Sequence, residues 1–256
     1  MLTGRRFTLP LQALEPMDLD GDGAATLLLL NPTGGLLGGD RLETRLAVGP
    51  GCRVCLSTPS ATRVYRSPGA AAVQRLSAHV GADAVLEWIP DHVIPSPGAR
   101  LHQSAEIHLG ADATLLYVDA WAAGRVARAE EWGFDLLDTS LAVHDEDGLM
   151  LRERAILAGS PRRDGLGGTD GLPYVATFVA LRPGRSEWDR LAATLRAALD
   201  PGAAGGRAGV STLGRGGVLA RLLRPSAPAL VASVEALWAA CRRHLLGLPP
   251  ARLRKL

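Results

Sequence analysis

Apolar and polar residues alternate over long stretches of the first two thirds of the chain. In residues 101–109, Leu101, Ala105, Ile107 and Leu109 fall on one parity, and His102, Glu106 and His108 on the other. A period of two describes a strand with one buried face. The same alternation marks 41–48 and 73–80. Each of these three strands runs into a glycine, Gly49, Gly81 or Gly110, and a more apolar run follows. The glycines are 32 and 29 residues apart. A repeat of that size predicts stacked supersecondary units: a strand, a glycine turn, a second strand, and an irregular return. Stacking such hairpin-like layers gives two sheets facing each other over an apolar core. Further strands are predicted at 26–30, 63–66, 137–144, 149–156, 174–181 and 217–223.

Helical spacing appears only late. Ser186, followed by Glu187, Trp188 and Asp189, reads as an N-cap with an acid at the third helical position. Trp188, Leu191, Leu195 and Leu199 then share a face, and Asp200-Pro201-Gly202 stops the helix. A second helix is predicted from Ser226, with Leu230, Val234, Leu237, Cys241 and Leu245 on one face. Gly247 closes it and Pro249-Pro250 blocks continuation. Residues 159–171 and 203–209 read as loops. The fold class expected is mainly β: a two-layer stacked β-sheet (solenoid-like) body over about 1–182, with a small C-terminal helical part over about 183–256.

Composition narrows the chemistry. Hydrophobic residues are 47% of the chain, enough for a large core. Arginine occurs 27 times and lysine once, at Lys255, which argues against a P-loop lysine or a Schiff base. A net charge of +2 predicts no nucleic-acid partner. No run reaches the ~18 apolar residues of a membrane span, and residues 1–10 lack the apolar stretch of a secretion signal. Cys52, Cys55 and Cys241 give no disulfide framework. A cytoplasmic setting is expected. Cys52 and Cys55, three apart in a β-rich run, point to opposite faces, so the pair predicts neither a metal nor a redox site.

Residues 31–40, Asn-Pro-Thr-Gly-Gly-Leu-Leu-Gly-Gly-Asp, hold four glycines in six positions. They match neither a Walker loop nor a dinucleotide fingerprint. The loop ends in Asp40, which would repel phosphate. No nucleophile elbow and no HExxH motif is present. His102, Glu106 and His108 could line a metal site, although a solvated strand face is the simpler reading. Glu87 follows the apolar Ala84-Val85-Leu86, so it is expected to be partly buried and to need a partner; Arg63 and Arg66 are candidates. Asp119, Arg125, Glu130 and Glu131 surround Trp121 in what reads as a loop of small residues. They suit an ion-pair network, an interaction surface or a polar lining.

The glycine loop, with Gly34, Gly35, Gly38 and Gly39, resembles the signature of the urease accessory protein UreD (UreH) family. Ser57-Thr58-Pro59-Ser60-Ala61-Thr62-Arg63-Val64-Tyr65-Arg66 is similar to its T-Q-x-A-T-K-V-Y segment. Leu86-Glu87-Trp88-Ile89-Pro90 is similar to L-E-W-x-P, and Gly124-Arg125 with Glu130 to G-R-x-x-x-G-E. Pro59 stands where the family commonly has Gln, Arg63 where it has Lys, and Ala129 where it has Gly. Asp91-His92 replaces a Gln-Glu-like pair. The resemblance implies a non-enzymatic scaffold in nickel insertion that binds urease apoprotein and UreF-like and UreG-like proteins. It implies no permanently bound cofactor, only transient nickel. On that reading Glu87, Asp119, Glu130, Asp40, Asp91 and His92 are candidates for metal passage. Gly34, Gly35, Gly38, Gly39, Arg63, Tyr65, Trp88, Gly124 and Arg125 are candidates for partner binding or structure. Two alternatives remain: a β-solenoid hydrolase pairing carboxylates among Asp40, Glu87 and Asp119, and a purely structural protein-binding β module.

Overall fold

The computed structural model describes residues 2–19, 21, 23–158, 168–199, 205–251 and 253. The expected helix stop at Asp200-Pro201-Gly202, most of the loop 159–171 and the lone Lys255 lie outside these residues. Three coils form the body. Strands β3 (Arg41–Val48), β6 (Ala72–Val80) and β9 (Arg100–Leu109) each lead through a glycine turn into β4 (Arg53–Ser57), β7 (Val85–Trp88) and β10 (Thr114–Ala122). The two strands flanking a turn do not pair with each other. β3, β6 and β9 pair in parallel within one sheet, and β4, β7 and β10 within another. Each coil therefore crosses from sheet to sheet, as the repeat predicted.

The smaller sheet continues through β13 (Leu136–Asp145), parallel to β9, and β14 (Gly148–Ala158), antiparallel to β13. The larger begins with β1 (Gln12–Ala13) and β2 (Ala25–Leu30) and ends with β15 (Tyr174–Leu181), β17 (Gly217–Arg224) and β16 (Arg207–Leu213). Short strands β5 (Thr62–Val64) and β8 (Val93–Pro95) complete it, β8 pairing with both β5 and β10. A separate two-stranded ribbon joins β11 (Gly124–Arg125) to β12 (Glu130–Glu131).

The spacing of the glycines has a steric cause. The turns stack: Gly81 N–H donates to Val48 O, and Gly110 N–H to Val80 O, both at 2.8 Å. A Cβ on Gly81 would lie 2.8 Å from Pro50 N, and one on Gly110 would lie 2.9 Å from Ala82 N. Gly49 opens the first coil, where a Cβ would meet only Cys52 Sγ, at 3.6 Å. Alanine at Gly81 or Gly110 is therefore expected to cost about 1–3 kcal/mol by overpacking, and at Gly49 far less. Urea unfolding of the three variants checks this; equal losses at all three would contradict the stacking argument.

Between the sheets lie Leu27, Leu56, Leu86, Leu115, Ile107, Val143 and their neighbours, all buried. Each such side chain stabilises the fold by about 1.5–3 kcal/mol. The outer face of the larger sheet, carrying Leu116, Val118, Ala176, Phe178 and Leu222, is covered by two helices. These are α1 (Trp188–Ala198) and α2 (Ala227–Cys241). The small side chains Ala120, Ala176, Ala180 and Ala220 give the helices a flat seat. Cys55 packs on this side, while Cys52 packs against the inter-sheet cluster, so the two thiols do point apart.

Three local expectations need correction. The N-cap of α1 is Glu187 in the left-handed region at φ 67°, with no side-chain cap, rather than Ser186. Residues 207–213 form β16 rather than the end of a link, because pairing with β17 overrides their weak strand propensity. Asp119 and Trp121 lie within β10, not in a loop. Ser226 does cap α2, its hydroxyl accepting from Ala229 N at 3.3 Å. A π-helical turn, Arg242–Leu246, then extends the helix to Gly247 at φ 66°.

Candidate functional site

The smaller sheet carries a polar break in its buried face. On the inward parity of β6, β9 and β13, Gln74, Gln103 and Thr139 occupy one register row. The rows on either side are largely apolar: Ala72, Leu101 and Leu137 on one side, Leu76, Ala105 and Leu141 on the other. Opposite this break, β10 projects Tyr117 and Asp119 inward. Gln103 Nε2 donates to Asp119 Oδ1 at 3.0 Å. Burial pushes the Asp119 carboxyl up to about 6, against the lowering effect of hydrogen bonds from Thr139 and Gln103; nearby Glu153 raises it further. Burial, and then the charge of Asp119, raise the Tyr117 hydroxyl. A carboxylate held this way is mostly ionised at neutral pH but regains its proton within about one unit below it.

Asp119 lines a cavity of about 110 Å³ between the sheets. That volume has room for several waters. Gly34, Gly35, Arg63, Trp88 and Asp91 line the same cavity. The glycine loop is thus part of its wall. It is stitched to β5, Leu36 N–H donating to Arg63 O and Tyr65 N–H to Leu36 O, each at 2.8 Å. A Cβ at Gly35 would stand 2.6 Å from Arg63 O and 2.8 Å from the Tyr65 ring. The two glycine-rich and T-x-V-Y-like segments form one structural unit. Tyr65 Oη adds a hydrogen bond to Gly34 O at 3.3 Å, and Gly38 backs onto Ala70 O.

The other candidates lie elsewhere. Asp40 closes the loop's own turn by accepting from Leu37 N at 2.8 Å; Gly39, within that turn, has φ 89°. Arg125 and Glu130 form a two-point ion pair at 2.6 and 2.8 Å across the small ribbon. Gly124 is required there because a Cβ would lie 2.3 Å from Glu130 O. His92 packs edge-on against Tyr174 at 5.7 Å, on the helix-covered side of the larger sheet.

Glu87 is 3% exposed, as the apolar run before it predicted. Its partners are not Arg63 and Arg66. It sits opposite Leu116, on the face away from Asp119. Its Oε2 accepts from Arg242 Nη1 at 2.8 Å and from Trp238 Nε1 at 3.2 Å. Arg242 also donates to Pro249 O at 2.9 Å and lies 5.6 Å from the Trp238 ring centroid. The ion pair ties the C-terminal helix to the sheet. Asp40, Glu87 and Asp119 therefore share no cleft, which removes the geometry that the hydrolase alternative needs.

On the outer face of the smaller sheet, His102 Nδ1 lies 3.1 Å from Asp138 Oδ2, and Arg154 binds the same carboxylate at two points. Arg154 and His102 hold Asp138 below the usual carboxylate range, Arg154 acting most strongly. His108 instead stacks between His79 and His144, at 4.9 and 5.0 Å. His102 and His108 do not converge, and the solvated-face reading of 101–109 holds. No cluster of three or more His, Cys, Asp or Glu suited to a metal ion occurs among the described residues.

Gln74, Gln103 and Thr139 escaped sequence reasoning, as did Arg242 and Trp238. The first group left a trace. Gln74 and Gln103 each stand seven residues before the turn glycine of their coil, Gly81 and Gly110, on the parity that is otherwise apolar.

Comparison with known proteins agrees with the motifs. The family model described as UreD urease accessory protein matches residues 1–255. A urease accessory protein UreD from Mycolicibacterium gilvum is 34% identical over 243 residues, covering 94% of this chain and 86% of that protein. One from Cupriavidus metallidurans is 31% identical, covering 98% and 87%. One from Cenarchaeum symbiosum is 31% identical, covering 96% and 88%. With the glycine loop, the two-sheet body and a match along nearly its whole length, the chain belongs to the UreD urease accessory protein family.

Proposed function

We propose that this chain is a non-catalytic, cytoplasmic scaffold of urease maturation. It joins urease apoprotein to UreF-like and UreG-like proteins and lets nickel pass through the space between its sheets, without a resident cofactor. The observation that supports this most is Asp119. A carboxylate between the sheets, at a polar row that apolar rows flank on both sides, is costly to keep, and its amide and hydroxyl partners stabilise its charged form without neutralising it. Oxygen donors of this kind hold a divalent ion weakly enough to release it, whereas thiolates would trap it. Asp91, on the wall of the same cavity, is a second donor.

Of the earlier candidates, Glu87, Glu130 and Asp40 are better explained as structural. The first two neutralise an arginine each, and the third closes a turn. No helix among the described residues is long and apolar enough to cross a membrane. The reading is tested by maturing urease in the presence of this chain carrying Asp119→Asn, with recovery of the complex followed in parallel.

A further inference from the structure

The chain re-enters the smaller sheet through four loops: residues 31–40 ahead of β3, 65–71 ahead of β6, 96–99 ahead of β9 and 132–135 ahead of β13. These loops stack on one another at one end of the body. Gly39 N–H donates to Ala71 O at 3.3 Å, Ser67 N–H to Gly98 O at 2.9 Å and Gly98 N–H to Gly133 O at 2.8 Å. Leu37, in the first loop, is 57% exposed. Its backbone is nonetheless fixed. Asp40 N–H donates to Leu37 O at 3.1 Å and Val73 N–H to Asp40 O at 2.8 Å. A Cβ on Gly38 would stand 2.9 Å from Ala70 O and 3.0 Å from Ser67 Cβ. Glycines lose the most conformational freedom on folding, so this loop is costly to order, and what it holds out to solvent is one leucine.

The surface beside Leu37 is small and uncharged, with Gly38, Gly39, Pro68, Gly69 and Ala70 exposed. Its margin is basic. Arg41 begins β3. Arg66 lies along Gly98, where a Cβ would meet its Cγ at 3.1 Å. Arg100 follows Ala99, the bridge partner of Arg66. All three arginines are exposed, and none has an ion pair or a side-chain hydrogen bond among the described residues. The four loops carry two acids: Asp40, turned onto Leu37 N, and the exposed Asp135. The glycine-turn end of the body has the opposite sign, with Asp83, Asp112, Asp145, Glu146 and Asp147, and there Arg182 and Arg215 are paired with acids. A chain of net charge +2 thus separates its charges between two ends. We infer that the return-loop end is a docking face for an acidic protein surface, with Leu37 entering an apolar pocket and Arg41, Arg66 and Arg100 meeting carboxylates around it. A central apolar anchor held in advance in its bound form concentrates binding energy, and a charged rim steers association. The inference rests on the scaffold role proposed above and adds which face of the chain meets a partner.

The test recovers the tagged full chain with co-expressed urease apoprotein, UreF-like and UreG-like proteins, and measures each component. Leu37→Ser removes the anchor. Arg66→Glu reverses a rim charge, and Arg66→Lys keeps it. Arg152→Glu reverses an exposed charge on the outer face of the smaller sheet, away from the loops. Leu37→Ser is expected to lower recovery of one component by about tenfold. Arg66→Glu should slow association of that same component by about tenfold at low salt, with the difference shrinking at high salt. Arg66→Lys and Arg152→Glu should match the unaltered chain, and all four variants should keep its urea midpoint. If the unaltered chain recovers its partners and Leu37→Ser and Arg66→Glu do so equally well, the face is refuted and the scaffold role stands. If the unaltered chain recovers none of the three proteins, the scaffold role fails and the face fails with it. A loss with Arg152→Glu as large as with Arg66→Glu makes the effect one of total charge and refutes the face. A loss confined to self-association of the chain in sedimentation, with partner recovery intact, places a second copy there and overturns the acidic partner. Should Arg66→Glu lower the urea midpoint, Leu37→Ser decides alone: normal recovery refutes the face.

Discussion

Replacing Arg242 with alanine is expected to lower the stability of the fold by about 3–5 kcal/mol, the usual cost of removing one partner from a buried ion pair. Arg242 is 2% exposed and Glu87 3%. The truncation leaves the Glu87 carboxylate in an apolar layer with Trp238 Nε1 still donating to it, and it frees Pro249 O. It also removes a guanidinium from the Trp238 ring, a contact worth about 1–2 kcal/mol when desolvated. The double variant Glu87→Gln/Arg242→Met should lose much less than the sum of its single changes, because no uncompensated charge remains. Urea unfolding of the singles and the double measures this. A loss below about 1 kcal/mol for Arg242→Ala would mean that water or another group takes over the carboxylate, and that the pair does not anchor α2.

Asp119 should show the opposite sign. Its carboxyl is raised from 3.8 to about 6 in the folded protein. Between these values the native state holds a proton that the unfolded chain has released, so stability falls as pH rises through that window and the full penalty remains above it. A shift of this size corresponds to about 3 kcal/mol, and to less in practice because the cavity beside Asp119 is large enough to admit water, which screens the charge. Asp119→Asn is therefore expected to be more stable than the unaltered chain by about 2–3 kcal/mol at pH 8, and to lose this advantage near pH 4. Denaturant midpoints at the two pH values give the comparison. If the unaltered chain proves the more stable at pH 8, the carboxylate is favourably solvated or paired, and the strain assigned to Asp119 is absent.

The parts of this fold that were legible in the sequence are those written locally. Parity marks β3, β6, β9 and β13, and the turn glycines mark the corners, because each stacked turn needs a residue without a Cβ above the one beneath. Helical spacing of Leu230, Val234, Leu237 and Cys241, with Leu245 in the π-helical turn beyond, likewise marks the buried face of the C-terminal helix. β16 was missed because its glycine and small polar residues carry little strand preference; β17 imposes the pairing. The partner of Glu87 was missed because it lies 155 residues away in the chain. No local pattern connects an acid on a strand to an arginine in a π-helical turn. The candidate site falls between these cases. Gln74 and Gln103 repeat at the same distance from their glycines, so aligning the coils would have exposed a polar row facing Asp119. The motifs drew attention to Asp40, Glu87 and Glu130 instead, acids that the fold uses for a turn and two ion pairs.

Nickel per urease after maturation with the Asp119→Asn chain, read against recovery of the whole assembly, tests the central claim most directly. Asparagine keeps the volume and a hydrogen bond to Gln103, and it is expected to leave the fold at least as stable at working pH. Assembly should therefore be normal while nickel content and urease activity fall together. Normal nickel and normal activity, with the assembly recovered in full, would contradict passage of the metal between the two sheets.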